Sequence, residues 1–279
     1  MAKETGDQRS DAGARSVPTA GRSPRDRADL AALLARSGFV SAEEEAAELI
    51  DAAAGDASRL EAMVVRRLTG EPLAWITGRT TFCDLAVSVH HGVYVPRWQS
   101  QELALRAAAR LPEAGMGVDL CTGSGAIAMV MTAARPAARV LASDLDHRAV
   151  ACARANGVEA FAGDLFASLP LPPGGALDVV VGVVPYVPTS DLPLLQRDTF
   201  TFETELAYDG GDDGTRILRR AITGSAERLR AGGALLLELG GDQADLLRPL
   251  FTDLGFADLD VLIDEDGDVR GIEATRRRA

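Results

Sequence analysis

Asp119-Leu-Cys-Thr-Gly-Ser-Gly-Ala126 is the stretch on which the reading of this chain turns. The apolar run Gly117–Leu120 leads into it and a helix-like run comes after, so it sits where a strand gives way to a helix. Gly123 and Gly125 let the backbone turn tightly and come close to a ligand, while Asp119 sets a carboxylate at the strand end. Alone the glycines are a loose signal, because Gly123-x-Gly125-x-x-Ala128 also fits the dinucleotide pattern and many glycines only make turns. Residues farther along the chain, taken in strand order, are more specific. Asp144 closes the next strand, where a carboxylate can accept both hydroxyls of a ribose. Asp164 comes after the third strand in Gly163-Asp-Leu-Phe166, placed to meet an adenine amino group. Val183-Val-Pro-Tyr186 ends the fourth, where a substrate amide would lie. Singly each Asp reads as a helix cap or solvated turn residue; in strand order they face one crevice.

The surrounding pattern supports a parallel sheet wrapped by helices. Strands are predicted near Gly117–Leu120, Arg139–Ser143, Glu159–Ala162, Asp178–Val183, Ala234–Leu239, Asp258–Ile263 and Gly271–Thr275, with helices over 99–110, 125–134, 146–155, 214–230 and 242–254. The turn Asp264-Glu-Asp-Gly267-Asp joins the last two strands as an antiparallel hairpin. Upstream, Leu30, Leu33 and Leu34, then Ala46, Leu49 and Ile50, then Leu60, Met63, Val64 and Leu68 recur at helical spacing, with Ser41 as a cap before Glu43-Glu-Glu45. These form a small helical domain, ended by Glu71-Pro72. Alternation from Phe82 to Val95 (Leu85, Val87, Val89, then Val93, Val95) predicts a hairpin between the two domains. Residues 1–27, rich in Arg, Ser, Gly, Asp and Pro, are expected to be a disordered tail.

Composition excludes several classes. At 279 residues and 47% hydrophobic, the chain can bury one substantial core and a small one beside it. No apolar run approaches the roughly 20 residues that cross a bilayer, and the start lacks the apolar centre of a signal peptide, so a cytoplasmic protein with no membrane partner is expected. Net charge is −12; residues 1–27 carry six Lys/Arg and four Asp/Glu, which leaves −14 on the remainder and argues against nucleic acid as a partner. Cys83, Cys121 and Cys152 are widely spaced, without C-x-x-C, and point to no disulfide framework and no metal; Cys121 is expected to be buried in the glycine loop. His90-His91 reads as a turn or surface pair, and Trp75, Phe82 and Trp98 as packing.

Residues 70–275 resemble the HemK/PrmC protein-glutamine methyltransferases. The similarity is carried by Gly70-Glu-Pro-Leu-Ala-Trp-Ile-Thr-Gly78, Val95-Pro-Arg97, the Asp119–Gly125 loop, Pro185-Tyr186, Glu203, Asp209-Gly-Gly211 with Asp213-Gly214, and Leu237-Glu-Leu-Gly240. It implies an α/β class I S-adenosylmethionine-dependent methyltransferase with a Rossmann-like seven-stranded sheet. In this chain a helical substrate-recognition domain would span 28–72, a linking hairpin 73–97 and the methyltransferase domain 98–279. S-adenosylmethionine would be held by Asp119, Cys121, Thr122, Gly123, Gly125, Asp144 and Asp164. Val183, Val184, Pro185 and Tyr186 would form the catalytic segment, with Glu203 in support. The implied partner is a protein acceptor, typically the Gly-Gly-Gln loop of a peptide release factor, and a monomer is expected.

The chain departs from the family at the catalytic segment, which in relatives reads Asn-Pro-Pro-Tyr. An amide nitrogen is a poor nucleophile because its lone pair is delocalised into the carbonyl. Acceptors on its N–H groups, one from the Asn side chain and one from a backbone carbonyl, localise that pair and fix its line of attack, while the Tyr ring packs on the planar amide. Val183 has no side-chain acceptor. One such contact is worth roughly 10²–10³ in rate. Similarly, Pro96-Arg-Trp-Gln-Ser-Gln101 replaces the family's Pro-Arg-Pro-Glu-Thr-Glu, turning two carboxylates into amides. Three readings therefore stand open: a methyltransferase acting on a glutamine amide or another peptide or small-molecule nitrogen, a cofactor-binding regulator that has lost catalysis, and an N6-adenine nucleic-acid methyltransferase. The acidic body and the missing Asn both weigh against the last.

Overall fold

Leu177-Asp-Val-Val-Val-Gly182 is apolar on both faces, as befits a strand covered by helices on each side, and it lies in the middle of the sheet. The computed structural model describes residues 27–172, 176–195 and 202–277. Of the expected disordered tail only Arg27 is among them, and it opens a helix; residues 1–26 lie outside the described residues.

By compactness the chain divides between Val64 and Val65. The first unit contains helices α1 (Arg27–Arg36) and α2 (Ala42–Ala53), which pack on each other, and most of α3 (Ala57–Leu68). Leu30, Leu34, Ala46 and Leu49 are fully buried there, on the stripe that their spacing predicts. Ser41 does hold the N-cap position of α2, but its side chain makes no capping bond; its backbone carbonyl accepts from Glu45 N instead.

In the second unit a short helix, α4 (Leu73–Thr77), begins at Pro72, so Glu71-Pro72 starts a helix rather than simply ending one. Next come β1 (Arg79–Phe82) and β2 (Leu85–Ser88), paired antiparallel. The hairpin is thus earlier than the alternation implied: it turns at Cys83-Asp84, and residues 89–97 form no strand. Both turn residues take positive φ, 47° and 61°, the left-handed pair that tight hairpins need, here without the usual Gly or Asn.

From there the elements alternate: α5 (Gln101–Arg110), β3 (Met116–Leu120), α6 (Ala126–Ala134), β4 (Arg139–Asp144), α7 (His147–Ala155), β5 (Glu159–Ala162), β6 (Leu177–Gly182), α8 (Arg216–Arg228), β7 (Leu229–Glu238), α9 (Gln243–Asp253), β8 (Phe256–Ile263) and β9 (Val269–Arg276). Among the described residues seven strands lie in the order β5-β4-β3-β6-β7-β9-β8, and β9 runs opposite to the other six. Side chains alternate between two cores. Val179, Val181 and Leu236 face α5, α6 and the hairpin, whereas Val180, Leu235 and Leu237 face α8 and α9. Trp75 and Phe82 are buried as expected, but Trp98 is 67% exposed and packs no core.

Candidate active site

Strands β3, β4 and β5 step outward in one direction, and β6 then returns to the other side of β3. That reversal leaves a crevice beyond the carboxyl ends of β3 and β6, the place where open α/β sheets bind ligands. A cleft of about 600 Å³ occupies it, and the glycine loop, the ends of β4 and β5, and residues 92–96, 183–185 and 204–209 contribute to its lining.

Asp119, 1% exposed, is held inside the loop it begins: its Oδ2 accepts from Thr122 Oγ1 at 2.6 Å and from Ala128 N at 3.2 Å. Burial outweighs these bonds and pushes its carboxyl up to about 7. Gly123 (φ 56°) is open: a Cβ there would find nothing closer than Tyr94, at 3.9 Å, so a ligand can reach the backbone. Gly125 (φ 85°) does not line the cleft; a Cβ on it would lie 2.9 Å from Val158 Cγ2, so this glycine serves packing of the loop. Cys121 lines the cleft in a left-handed conformation (φ 54°), half-buried rather than buried, with its thiol pushed well up by burial and by Asp144.

Asp144 closes β4 half-buried, its Oδ2 accepting from Gly123 N at 2.9 Å and its Oδ1 from Asp146 N at 2.8 Å. Burial raises its pKa against those bonds. Asp164 stands at the rim, exposed, with Oδ2 2.7 Å from Arg220 Nη2. It reaches the cleft already paired, a partner that sequence order could not reveal.

The segment expected to be catalytic, residues 183–186, is split by the structure. Val183 and Pro185 line the cleft, while Val184, 1% exposed, belongs to the core beneath. Tyr186 does not line it. Its hydroxyl donates to Glu238 Oε1 at 3.0 Å, and its carbonyl accepts from Gln243 Nε2 at 2.7 Å. Burial, then the Glu238 charge, pushes its phenol far up, so it stays protonated. Glu238, 5% exposed, also accepts from Ser100 Oγ at 2.5 Å. The neutral hydroxyls of Tyr186 and Ser100 are its side-chain donors, and burial raises its pKa.

A second buried carboxylate is also engaged. Glu203, 6% exposed, accepts from Val95 N (3.2 Å), Arg97 Nη2 (2.7 Å) and the Tyr208 hydroxyl. It ties residues 202–208 to residues 94–97, two segments that contribute to the cleft lining. Tyr94 and Tyr208, which no motif or spacing singles out, stack edge-on at 5.7 Å. His90 and His91 lie outside the cleft lining; His91 packs on Trp75 with ring centroids 4.8 Å apart.

Comparison with known proteins fits this geometry. The family described as Methyltransferase small domain matches residues 100–168. A release factor glutamine methyltransferase of Neisseria gonorrhoeae is 36% identical over 214 residues, 75% of this chain and 78% of that protein. The chain belongs to the release factor glutamine methyltransferase family. The enzyme of that name from Moorella thermoacetica is likewise 36% identical, over 241 residues, 82% of this chain and 83% of its own length. Among solved structures, a ribosomal protein L11 methylase from Lactobacillus delbrueckii subsp. bulgaricus has a TM-score of 0.49 and 17% identity, covering 69% of this chain and 86% of that one. As a member of this HemK/PrmC family the chain is a methyltransferase of the class I fold, and its cofactor is S-adenosylmethionine. No helix among the described residues is long and apolar enough to cross a membrane.

The cleft suits that cofactor. Gly123 leaves backbone and space open, and Asp144 puts a carboxylate beside them. The residues present would hold the ribose at Asp144 and the adenine near Asp164 and Leu165. When bound, S-adenosylmethionine supplies an electrophilic methyl group.

Proposed function

We propose that this methyltransferase modifies the side-chain amide nitrogen of a glutamine in a protein of the peptide release factor kind. The observation that carries this reading is the extent of the similarity: relatives bearing that name match three quarters or more of the chain, not the cofactor-binding part alone. The cleft is consistent with it, since the apolar, half-buried Val183 and Pro185 offer a flat amide a wall free of competing charge.

The protein's task is to present the nitrogen. As the nitrogen forms its bond to the methyl carbon, the carbon–sulfur pair stays with sulfur and one amide proton passes to water. Nothing in this needs a strong base until late. Accordingly neither Glu203 nor Glu238 is free for such work: Glu203 is satisfied by Val95, Arg97 and Tyr208, and Glu238 by Tyr186 and Ser100. These carboxylates shape the cleft, and orientation is the chief contribution of the chain's own groups.

Intact-mass analysis of a release factor incubated with the enzyme and S-adenosylmethionine tests the proposal. One methyl group should be added, and a variant factor with the Gly-Gly-Gln glutamine replaced should gain none. Val183 favours a second reading, a different planar nitrogen in a peptide or small molecule. An unmodified factor, together with labelled methyl on some other component of a host lysate, would establish that one instead.

A further inference from the structure

The same cleft presents an apolar side chain at 183 and a phenol at 94, and we infer that the Tyr94 oxygen accepts an N–H of the acceptor amide, the contact Val183 cannot make. This role rests on the glutamine reading and gives a cleft without the asparagine a way to carry it out.

Tyr94 lines the cleft together with Val183 and Pro185 and approaches the open face of Gly123. Its ring is held on several sides. The Tyr208 edge meets it at 5.7 Å and 65°, and the Arg97 guanidinium lies over it at 5.1 Å. The backbone before it is fixed by Trp75 Nε1, which donates to Val93 O at 2.8 Å, and the backbone after it by Val95 N on Glu203. A hydroxyl so placed loses little freedom when a substrate arrives, which is the condition for one hydrogen bond to count in the transition state.

Several neighbouring polar groups are committed, although Ser143 Oγ at the end of β4 lines the cleft buried and without a partner among the described residues. Tyr186 donates to Glu238 and Tyr208 to Glu203; Asp119, Asp144 and Asp164 hold Thr122, Gly123 and Arg220 respectively. Burial pushes the Tyr94 phenol up to about 12, so at neutral pH it is an uncharged hydroxyl. Its oxygen faces the Arg97 guanidinium, which opposes the effect of burial, and keeps a lone pair that can accept an N–H without adding charge beside the nitrogen.

The test uses the full chain as wild type, Tyr94→Phe, Val183→Asn and the double variant, with a release factor as acceptor and cofactor affinity measured by calorimetry. Tyr94→Phe should lower kcat roughly 10²-fold with cofactor affinity and melting temperature unchanged. Val183→Asn, which supplies the missing acceptor, should restore most of the activity lost in Tyr94→Phe. Should Tyr94→Phe fold poorly, Tyr94→Gln, which keeps an acceptor oxygen, should turn over while Tyr94→Leu does not. Wild-type activity with Tyr94→Phe equally fast overturns the Tyr94 role alone, as does a loss that Val183→Asn leaves unrelieved. A wild type inert on every glutamine overturns the glutamine reading and this inference with it.

Discussion

Asp119 and Asp144 are both carboxylates at strand ends, yet they do different work. Asp144 turns one oxygen to the backbone of Gly123 and stands beside the space left for a ligand. A carboxylate that also accepts ribose hydroxyls contributes about 1.5–3 kcal/mol per charged hydrogen bond. Asp144→Asn should therefore weaken S-adenosylmethionine binding by about one to two orders of magnitude. Calorimetry with an unchanged Kd would remove Asp144 from the cofactor site. Asp119 instead organises the loop, and its signature is a pH effect. Its carboxyl rises from the ordinary 3.8 to about 7 through burial, so the folded state retains a proton that the unfolded chain releases. Between those values this group makes the protein less stable as pH rises, and above about 7 its penalty is constant. Asp119→Asn cannot ionise and keeps an oxygen for Thr122 and Ala128. Its melting temperature relative to wild type should climb with pH up to about 7 and then level off, and thermal scans on either side of that value would show a flat difference if the assignment is wrong.

The turn from β3 into α6 uses its two glycines for two purposes, and substitution separates them. At Gly125 a Cβ would lie 3.1 Å from Ala153 Cβ and 2.9 Å from Val158 Cγ2, against α7 and its following loop. Gly125→Ala should cost about 1–3 kcal/mol of stability in urea melts, from overpacking and positive φ together. At Gly123 there is room, with the nearest atoms 3.9 Å away, so Gly123→Ala should cost less stability and more cofactor affinity, because the added methyl enters the ligand's space. Equal effects of the two changes on binding would contradict this division. The glycines and the strand-end aspartates were legible in the sequence because both signals are local. The strands were legible for the same reason: Glu159–Ala162 has the bounds read from its pattern, and β3, β4 and β6 begin or end within one residue of theirs. The hairpin was misplaced because Cys83 and Asp84 adopt left-handed conformations without a residue type that announces them. Tyr186–Glu238 and Val95–Glu203 join segments 52 and 108 residues apart, and no spacing rule connects them. Val184 misled for a further reason: alignment to a catalytic motif says nothing of which face a side chain takes, and this one turns into the core.

At the scale of the whole molecule, the cleft belongs to one of the two compact units. The first residue that lines the cleft is Phe82, so every group proposed to touch S-adenosylmethionine lies in the unit that begins at Val65. That unit carries its own anchor at its start: Arg66 forms a two-pronged ion pair with the buried Glu71, and Arg66 sits near the end of α3. The preceding helices have a separate small core, and we propose that they recognise the protein acceptor. A chain lacking residues 1–26 should bind cofactor and methylate a release factor as the full chain does, since that stretch has too few apolar side chains to build a surface of its own. A chain lacking residues 1–56 keeps α3 and the Arg66–Glu71 pair and should still bind S-adenosylmethionine with the same Kd. Its KM for an intact release factor should rise at least roughly tenfold, the loss of about 1.4 kcal/mol of acceptor binding, while its rate on a short Gly-Gly-Gln peptide stays close to that of the full chain. Steady-state kinetics on the two acceptors, compared between the full chain and the truncation, measure this directly. An equal loss on peptide and protein would mean that the helices support the cleft itself, and no loss on either would leave them without a part in acceptor recognition.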